Sequence, residues 1–373
     1  MCAGKTTQAG QAIFFEHHWR WIVRAWVQAS GDKPKRDGPG SQSTVSRVLS
    51  TFKPRFLANL MTAAARKGFS KEWRDYVAKA KKIQKARRER LQGGNLRVRR
   101  RTYTPALKKK PQFCLDGKSR SGCISALTGR TEIDLTIFSP ETSQIVGHVT
   151  LPDKVGEQTA APLLIFTVSD KLPRGIFTGD AGITSPNVVG VIVADHHGYL
   201  LAVKGNAGKV YKEMTNYDWA KVRDKELFFS EGHGRREIRT ILKVPVAAFG
   251  STRFEKYADA TAVYAVIADI HHVKEDKFTT ETRFFIADSI AAALSRHEAL
   301  TYIRDHWAIE SFHWVKDVVL GEDDCPTKNS NGSQTLGLMR TALFKVGKSV
   351  SGSVAKFIYH FSSDPEQVYK RGL

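Results

Sequence analysis

The sequence predicts an α/β fold, a mixed sheet with flanking helices, behind a basic and mainly helical N-terminal region. Three observations lead there. Nearly all of the positive charge sits in one early segment, short apolar runs of strand length begin at Phe113, and two of those runs are joined by a helical stretch, as in a βαβ unit. At 373 residues the chain exceeds the usual size of one domain, so a core with an appended or inserted module is expected.

The elements follow in order. Residues 12–29 mix aromatics with Arg at helical spacing, and Ser30-Gly31, Pro34 and Gly38-Pro39-Gly40 then break the pattern. Two further helices are expected at about 43–66 and 71–91. The second ends in KKIQKARRERLQGG, where cations suit a helix C-terminus and Gly93-Gly94 stops it. Arg97 to Arg101 and Lys108 to Lys110 form a basic connector. The runs FCLD, CISAL, EIDLTIF, QIVGHVTL, GIFTGD and YLLAVKG then read as strands of a mixed sheet, with Ser185 to His197 as the crossover helix between the last two. Residues 211–289, with ILKVPVAAF, AVYAVIADI and TRFFIAD, read as a mainly β insertion, and Ser289 to Val319 as helical. The expected division is 1–105 as a DNA-binding region, 106–345 as the core with its insertion, and 346–373 as a tail.

A net charge of +21 implies a polyanionic partner. Residues 31–110 hold 24 Lys/Arg against 5 Asp/Glu, so this one segment carries +19 of the total. Lys81, Lys82, Lys85, Arg87 and Arg88 on the expected 71–91 helix, with Arg99, Arg100 and Arg101 in the connector, are placed to neutralise DNA phosphates. Such contacts give affinity with steep salt dependence and no sequence information. A basic arm or localisation signal is the other reading of the segment.

Several classes are excluded. No run approaches the ~20 apolar residues that cross a bilayer, and no charged-apolar-small leader pattern begins the chain, so no membrane partner is expected. The expected location is cytoplasmic and nucleoid-associated in a bacterium, or nuclear in a eukaryote. Cys2, Cys114, Cys123 and Cys325 lack metal-ligand spacing and read as free thiols. Gly4-Lys5-Thr6 and Gly347-Lys348-Ser349 lack the upstream Gly of a phosphate-binding loop, so no nucleotide cofactor is expected.

Chemistry points to three carboxylates. Asp116 ends an apolar strand, Asp180 ends GIFTGD, and Glu310 lies in the helical run DHWAIESFHWVKD, whose Ile303 and Trp307 are expected to pack on the sheet. If they converge, they can hold two divalent ions about 4 Å apart for phosphoryl transfer, and Mg²⁺ (or Mn²⁺) suits such oxygen ligands. Strand-end Asp and helix Glu are also common turn caps and solvated groups, so residue types alone leave both readings open. Lys118 and Lys204 are candidates for phosphate binding or plain solvation, and His306 for the scissile phosphate or the core. His233, Arg235 and Arg239 are candidates for a DNA-end contact or, with Glu237, a structural ion-pair network.

Beyond composition, the text between Phe113 and Arg340 resembles the ISAs1 family of insertion-sequence transposases and the related H-repeat-associated proteins. The resemblance rests on CLDGKSRSG, CISAL, DKVGEQTA, GDAG, YLLAVKGNAG, GHGRREIR, DHWAIE, HWVKDVVLGEDDC and a closing LMR, in that order. It implies an RNase H-like fold with a mainly β insertion before the last catalytic helix, and an Asp-Asp-Glu triad. Asp116 stands at the first Asp in the family's DGK motif, Asp180 at the second in its DA motif, and Glu310 at the Glu of its HWxxE motif. The implied activity is DNA transposition, with double-stranded element ends and target DNA as partners and a homo-oligomer formed on DNA. One departure stands out. The family has Asn after the Glu and its next HW four residues on, whereas here Ser311 follows and His313 comes three residues on. A missing residue turns the rest of a helix by about 100°, so a local distortion, or re-aimed His313, Trp314 and Lys316, is expected.

Overall fold

The computed structural model describes residues 49, 53–92, 103–124, 129, 131–151, 156–232, 234–324 and 330–363. The expected 12–29 helix and its linker, most of the basic connector, and the segment DKV in DKVGEQTA lie outside the described residues. The strands are β1 (Gln112–Ile124), β2 (Thr131–Ser139), β3 (Gln144–Leu151), β4 (Ile176–Gly179), β5 (Gly198–Val203), β6 (Lys225–Gly232), β7 (Arg235–Pro245), β8 (Ala260–His272) and β9 (Lys277–Asp288). They form one sheet in the order β3-β2-β1-β4-β5-β9-β8-β7-β6. β1, β4 and β5 are parallel and every other pairing is antiparallel. This is the mixed sheet of an RNase H-like core, continued by a mainly β insertion whose last strand pairs with β5.

The helices are α1 (Pro54–Gln92), α2 (Glu157–Val168), α3 (Pro186–Ala194), α4 (Lys209–Asn216), α5 (Ser289–Ala292), α6 (Arg296–Asp305), α7 (Trp307–Trp314), α8 (Ser330–Ser351) and α9 (Val354–Ser363). The expected crossover is α3. Ser185 caps it by accepting from the Val188 N–H, and Pro186 fills a first-turn position that needs no donor. Strand alternation sorts side chains onto two faces. Phe113, Leu115, Phe177, Tyr199 and Leu201 pack with Phe69 and with the apolar stripes of α2 and α3. On the opposite face, Cys114 and Phe138 meet Ile309, Phe312 and Phe344, while Ile176 and Leu200 meet Leu300 and Tyr302.

One expectation is corrected here. The break placed between residues 66 and 71 is absent, and α1 runs unbroken through Gly68 and Ser70. Tertiary packing outweighs the local glycine signal. Phe69 is fully buried with its ring 5.6 Å from that of Phe113, and Arg66 Nη1 donates to the Val146 carbonyl at 2.8 Å. Glu72 accepts from Gln144 Nε2 at 2.6 Å and from Lys345 Nζ at 2.7 Å. The first half of α1 is therefore part of the layer that covers the sheet.

Candidate active site

The site begins with the alternation of β1. Gln112, Cys114, Asp116, Lys118 and Arg120 share one face, and each meets the C-terminal helices or the turn that joins them. Gln112 Nε2 donates to the Tyr302 carbonyl at 2.8 Å, His313 Nδ1 lies 3.4 Å from Asp116 Oδ2, and Arg120 Nη1 donates to Ser333 Oγ at 3.1 Å. Asp116 is not at a strand end, as the apolar run suggested, but in mid-strand, where it still pairs with Thr136 of β2. What ends there is the neighbour, because the β1–β4 register closes at Leu115 opposite Gly179. Asp180 is the first residue beyond β4 and so stands beside Asp116. The Ile183 N–H donates to its Oδ1 at 3.1 Å and fixes it there.

A third carboxylate arrives from an unexpected element. Glu157, in the first turn of α2, brings an oxygen into a group with Asp116 and Asp180 whose atoms all lie within 4.8 Å of one another. Gly117 leaves the space it occupies, since a Cβ on Gly117 would lie 2.1 Å from Glu157 Oε1. An acid in the first turn of a helix is ordinary by its charge preference alone, so the sequence offered only the shared GEQTA text as a signal.

Burial and then the charges of Asp116 and Asp180 push the Glu157 carboxyl up. Burial and then Asp116 push Asp180 up, with the Ile183 and Gly182 N–H groups and Lys204 pulling the other way. Glu310 is also raised, by burial and Asp116 first, while Arg283 and His313 oppose. Crowded carboxylates that disfavour one another's charge, offering only oxygen donors, fit a hard divalent cation.

Glu310 sits on α7 on the same side of the sheet, close enough to feel Asp116 and Asp180, but outside the group of three. The helix that carries Glu310 runs into a π turn at Val315–Val319, directly after Trp314. Lys316 is buried, with Nζ 3.2 Å from Glu322 Oε1, whereas Trp314 is exposed. Trp307 meets the sheet only at its surface, with the Arg283 guanidinium of β9 5.3 Å from its ring centroid, and is 49% exposed. A new helix starts at Trp307, so Ile309 and Phe312 take the inward positions instead, both essentially fully buried.

The remaining candidates separate by environment. His306 Nδ1 lies 3.0 Å from Thr178 Oγ1, and burial pulls its pKa down to about 4, which leaves it neutral at neutral pH. Lys204 is exposed near Asp180. Lys118 is enclosed, with Nζ 2.7 Å from Asp317 Oδ1 and 3.1 Å from Glu322 Oε2. Arg239 pairs with Glu237 and donates to Ser230 Oγ at 2.9 Å. Together with exposed Arg235, it lines a cleft of about 410 Å³ shared with Arg283, Arg304 and Trp307. Lys81, Lys82 and Lys85 lie on the exposed second half of α1, which continues through Arg87 and Arg88. His233, Arg99, Arg100 and Arg101 fall outside the described residues.

A mixed RNase H-like sheet that sets carboxylates side by side where β4 ends, with an acid-bearing helix after a β insertion, defines the class. The chain belongs to the transposase DDE domain family, whose model matches residues 135–344. The match starts in β2, so β1 with Asp116 precedes it. Among curated relatives in Escherichia coli, YbfL of strain K12 is 29% identical over 248 residues, 62% of each chain. The H repeat-associated YhhI of the same strain is 28% identical over 62% of each chain. YncI of strain O157:H7 is 28% identical over 65% of this chain and 64% of its own. The last two bear transposase in their names. The chain thus spans less than two thirds of the length of these relatives. Among solved structures, the piggyBac transposase synaptic complex with hairpin DNA aligns at a TM-score of 0.39 and 10% identity, over 72% of this chain and 54% of that one. Among the described residues no helix is long and apolar enough to cross a membrane.

Proposed function

We propose that this chain is a DNA transposase of the ISAs1 type that cuts DNA at the ends of its own mobile element and joins the freed ends to a target. The observation that carries this reading is the convergence of Asp116, Asp180 and a further carboxylate within 4.8 Å, in a chain of the transposase DDE domain family. Asp116, Asp180 and Glu310 form the acidic triad and hold divalent ions, Mg²⁺ or Mn²⁺, two per site. When bound, such ions supply Lewis-acid charge to the scissile phosphodiester.

The chemistry is two displacements at phosphorus. In the first, the oxygen of water bonds to phosphorus as the P–O3′ bond breaks, leaving a 3′-hydroxyl and a 5′-phosphate. In the second, that 3′-oxygen bonds to a target phosphorus, a target P–O3′ bond breaks, and the proton of the attacking hydroxyl passes through solvent to the leaving 3′-oxygen. One phosphodiester replaces another, so no nucleotide cofactor is consumed. Lys204 beside Asp180 neutralises phosphate at the site, and His306 holds the floor beneath it through Thr178. Arg235, Arg239 and His233 of the insertion meet the DNA end. Lys81, Lys82, Lys85, Arg87, Arg88, Arg99, Arg100 and Arg101, in the basic region 1–105, grip the backbone. Two ends are paired by two or more copies on DNA.

One observation favours a second reading, a DNA-binding derivative impaired in cutting. Glu310 is exposed and outside the group of three, on a helix that runs into a π turn. The protein, incubated with Mg²⁺ and duplexes carrying the element's termini beside an Asp180→Ala control, separates these readings. Metal-dependent nicks followed by joined products are expected. Nicks without joining indicate a nuclease, and bound but uncut DNA indicates the derivative.

A further inference from the structure

We infer that Glu157 is an inner ligand of the divalent metal, completing with Asp116 and Asp180 a binding set that forms without Glu310. The inference rests on the reading of this site as a metal-dependent transposase centre. Its first support is geometric. The three side chains offer one oxygen each within 4.8 Å of one another, and Glu310 is not among them.

The second support is the backbone opposite Glu157. Gly117 follows Asp116 in β1 and faces α2, and a Cβ there would lie 2.1 Å from Glu157 Oε1 and 2.4 Å from Cδ. Any other residue at position 117 would fill the cradle that lets this carboxylate approach Asp116. The third support is the state of the carboxylate itself. Among the described residues, the Glu157 side chain has no hydrogen-bond or ion-pair partner, although it is half-buried. By contrast Asp116 has His313, and Asp180 has the Ile183 N–H. A half-buried carboxylate held beside two others, with neither donor nor cation among the described residues, adds to a local negative potential that a bound cation compensates.

Glu310 then has a different place. It is exposed and outside the group of three, and can join once DNA brings a second cation to the site. Metal binding before DNA therefore depends on Glu157 more than on Glu310.

Mn²⁺ titrations of the full chain without DNA, followed by electron paramagnetic resonance and by calorimetry, test this. Glu157→Gln is expected to weaken Mn²⁺ binding at least about 10-fold, and Glu310→Gln less than about 3-fold. Gly117→Ala keeps every carboxylate but displaces that of Glu157, and is expected to weaken binding by a similar factor to Glu157→Gln. Because removing a charge from the crowded group relieves repulsion, metal-free Glu157→Gln is expected to melt no lower than the wild type. It is also expected to lose the rise in melting temperature that Mn²⁺ gives the wild type. Wild-type affinity in both Glu157→Gln and Gly117→Ala, with binding lost in Asp180→Ala, overturns the assignment of Glu157 while leaving the metal site intact. Absence of Mn²⁺ binding in the wild type overturns the metal-centre reading itself.

Discussion

Lys118→Met separates two roles for a residue next to the site. The ammonium of Lys118 is held by Asp317 at 2.7 Å, Glu322 at 3.1 Å and Asp323 at 3.5 Å, and the side chain is only 7% exposed. Glu322 is 2% exposed and shares its other oxygen with Lys316 at 3.2 Å. Burial alone would raise the Glu322 carboxyl, but Lys316 and Lys118 outweigh it and hold it below its ordinary value. Removing this cation leaves the buried Glu322 with Lys316 alone and the partly exposed Asp317 without its partner, and breaking a buried pair from one side costs about 3–5 kcal/mol. Methionine keeps the stem packed, so the loss measured is that of charge. The assay is chemical denaturation of Lys118→Met and of Lys118→Met with Glu322→Gln, beside DNA binding measured across salt concentrations. The single variant is expected to lose about 3–5 kcal/mol and the double variant to regain part of it, with no change in the slope of log K against log salt. Unchanged stability together with a slope reduced by about 1 would mean that Lys118 contacts phosphate, and would refute the enclosed-network argument.

Three other outcomes are expected. Replacing Lys81 and Lys82 together by Gln lowers the salt slope of DNA binding by about 2, read by titration at several salt concentrations, while leaving the melting temperature near that of the wild type. Phe69→Ala, at a fully buried position of α1 against Phe113, costs about 3–5 kcal/mol in a urea titration, whereas a detached N-terminal helix would show no such loss. Asp288 is 1% exposed, caps α5, and is pushed by burial from 3.8 up to about 6. A carboxyl raised on folding contributes stability that is present below its unfolded pKa and lost as pH rises through the folded one. Stability should therefore fall by about 3 kcal/mol between about pH 4 and pH 6, and Asp288→Asn should flatten that part of the profile.

The sequence made the α/β texture, the crossover helix and the β insertion legible because those depend on local alternation and on caps such as Ser185. Asp180 was legible for the same reason, as the residue that stops a short buried strand. Asp116 was found for a partly mistaken reason. Its position is set by where the neighbouring strand ends, and no feature of β1 itself reports that. Glu157 was missed because its approach depends on the β1–β4 register, on the packing of α2 and on an absent Cβ at Gly117, three facts far apart in the chain. The enclosure of Lys118 was available in principle, since it shares the face of Cys114 by strand period, but its partners lie some 200 residues later. The break in α1 was misplaced because Gly68 signals a stop locally, while Phe69 and Arg66 hold the helix to the sheet on either side of it.

The unbroken course of α1 has a mechanical consequence. Its first half is bolted to the sheet and to α8 through Phe69 and Glu72, and its second half carries Lys81, Lys82 and Lys85 at exposed positions. Between Phe69 and Lys85 the helix spans about 24 Å at about 1.5 Å per residue, which makes it a lever rather than a tether. A bend imposed on DNA held at the far end would reach the carboxylates as torque on the sheet. The same rigidity fixes the azimuth of the grip, so one residue added near Val77 would swing the lysines by about 100° without loosening the bolt.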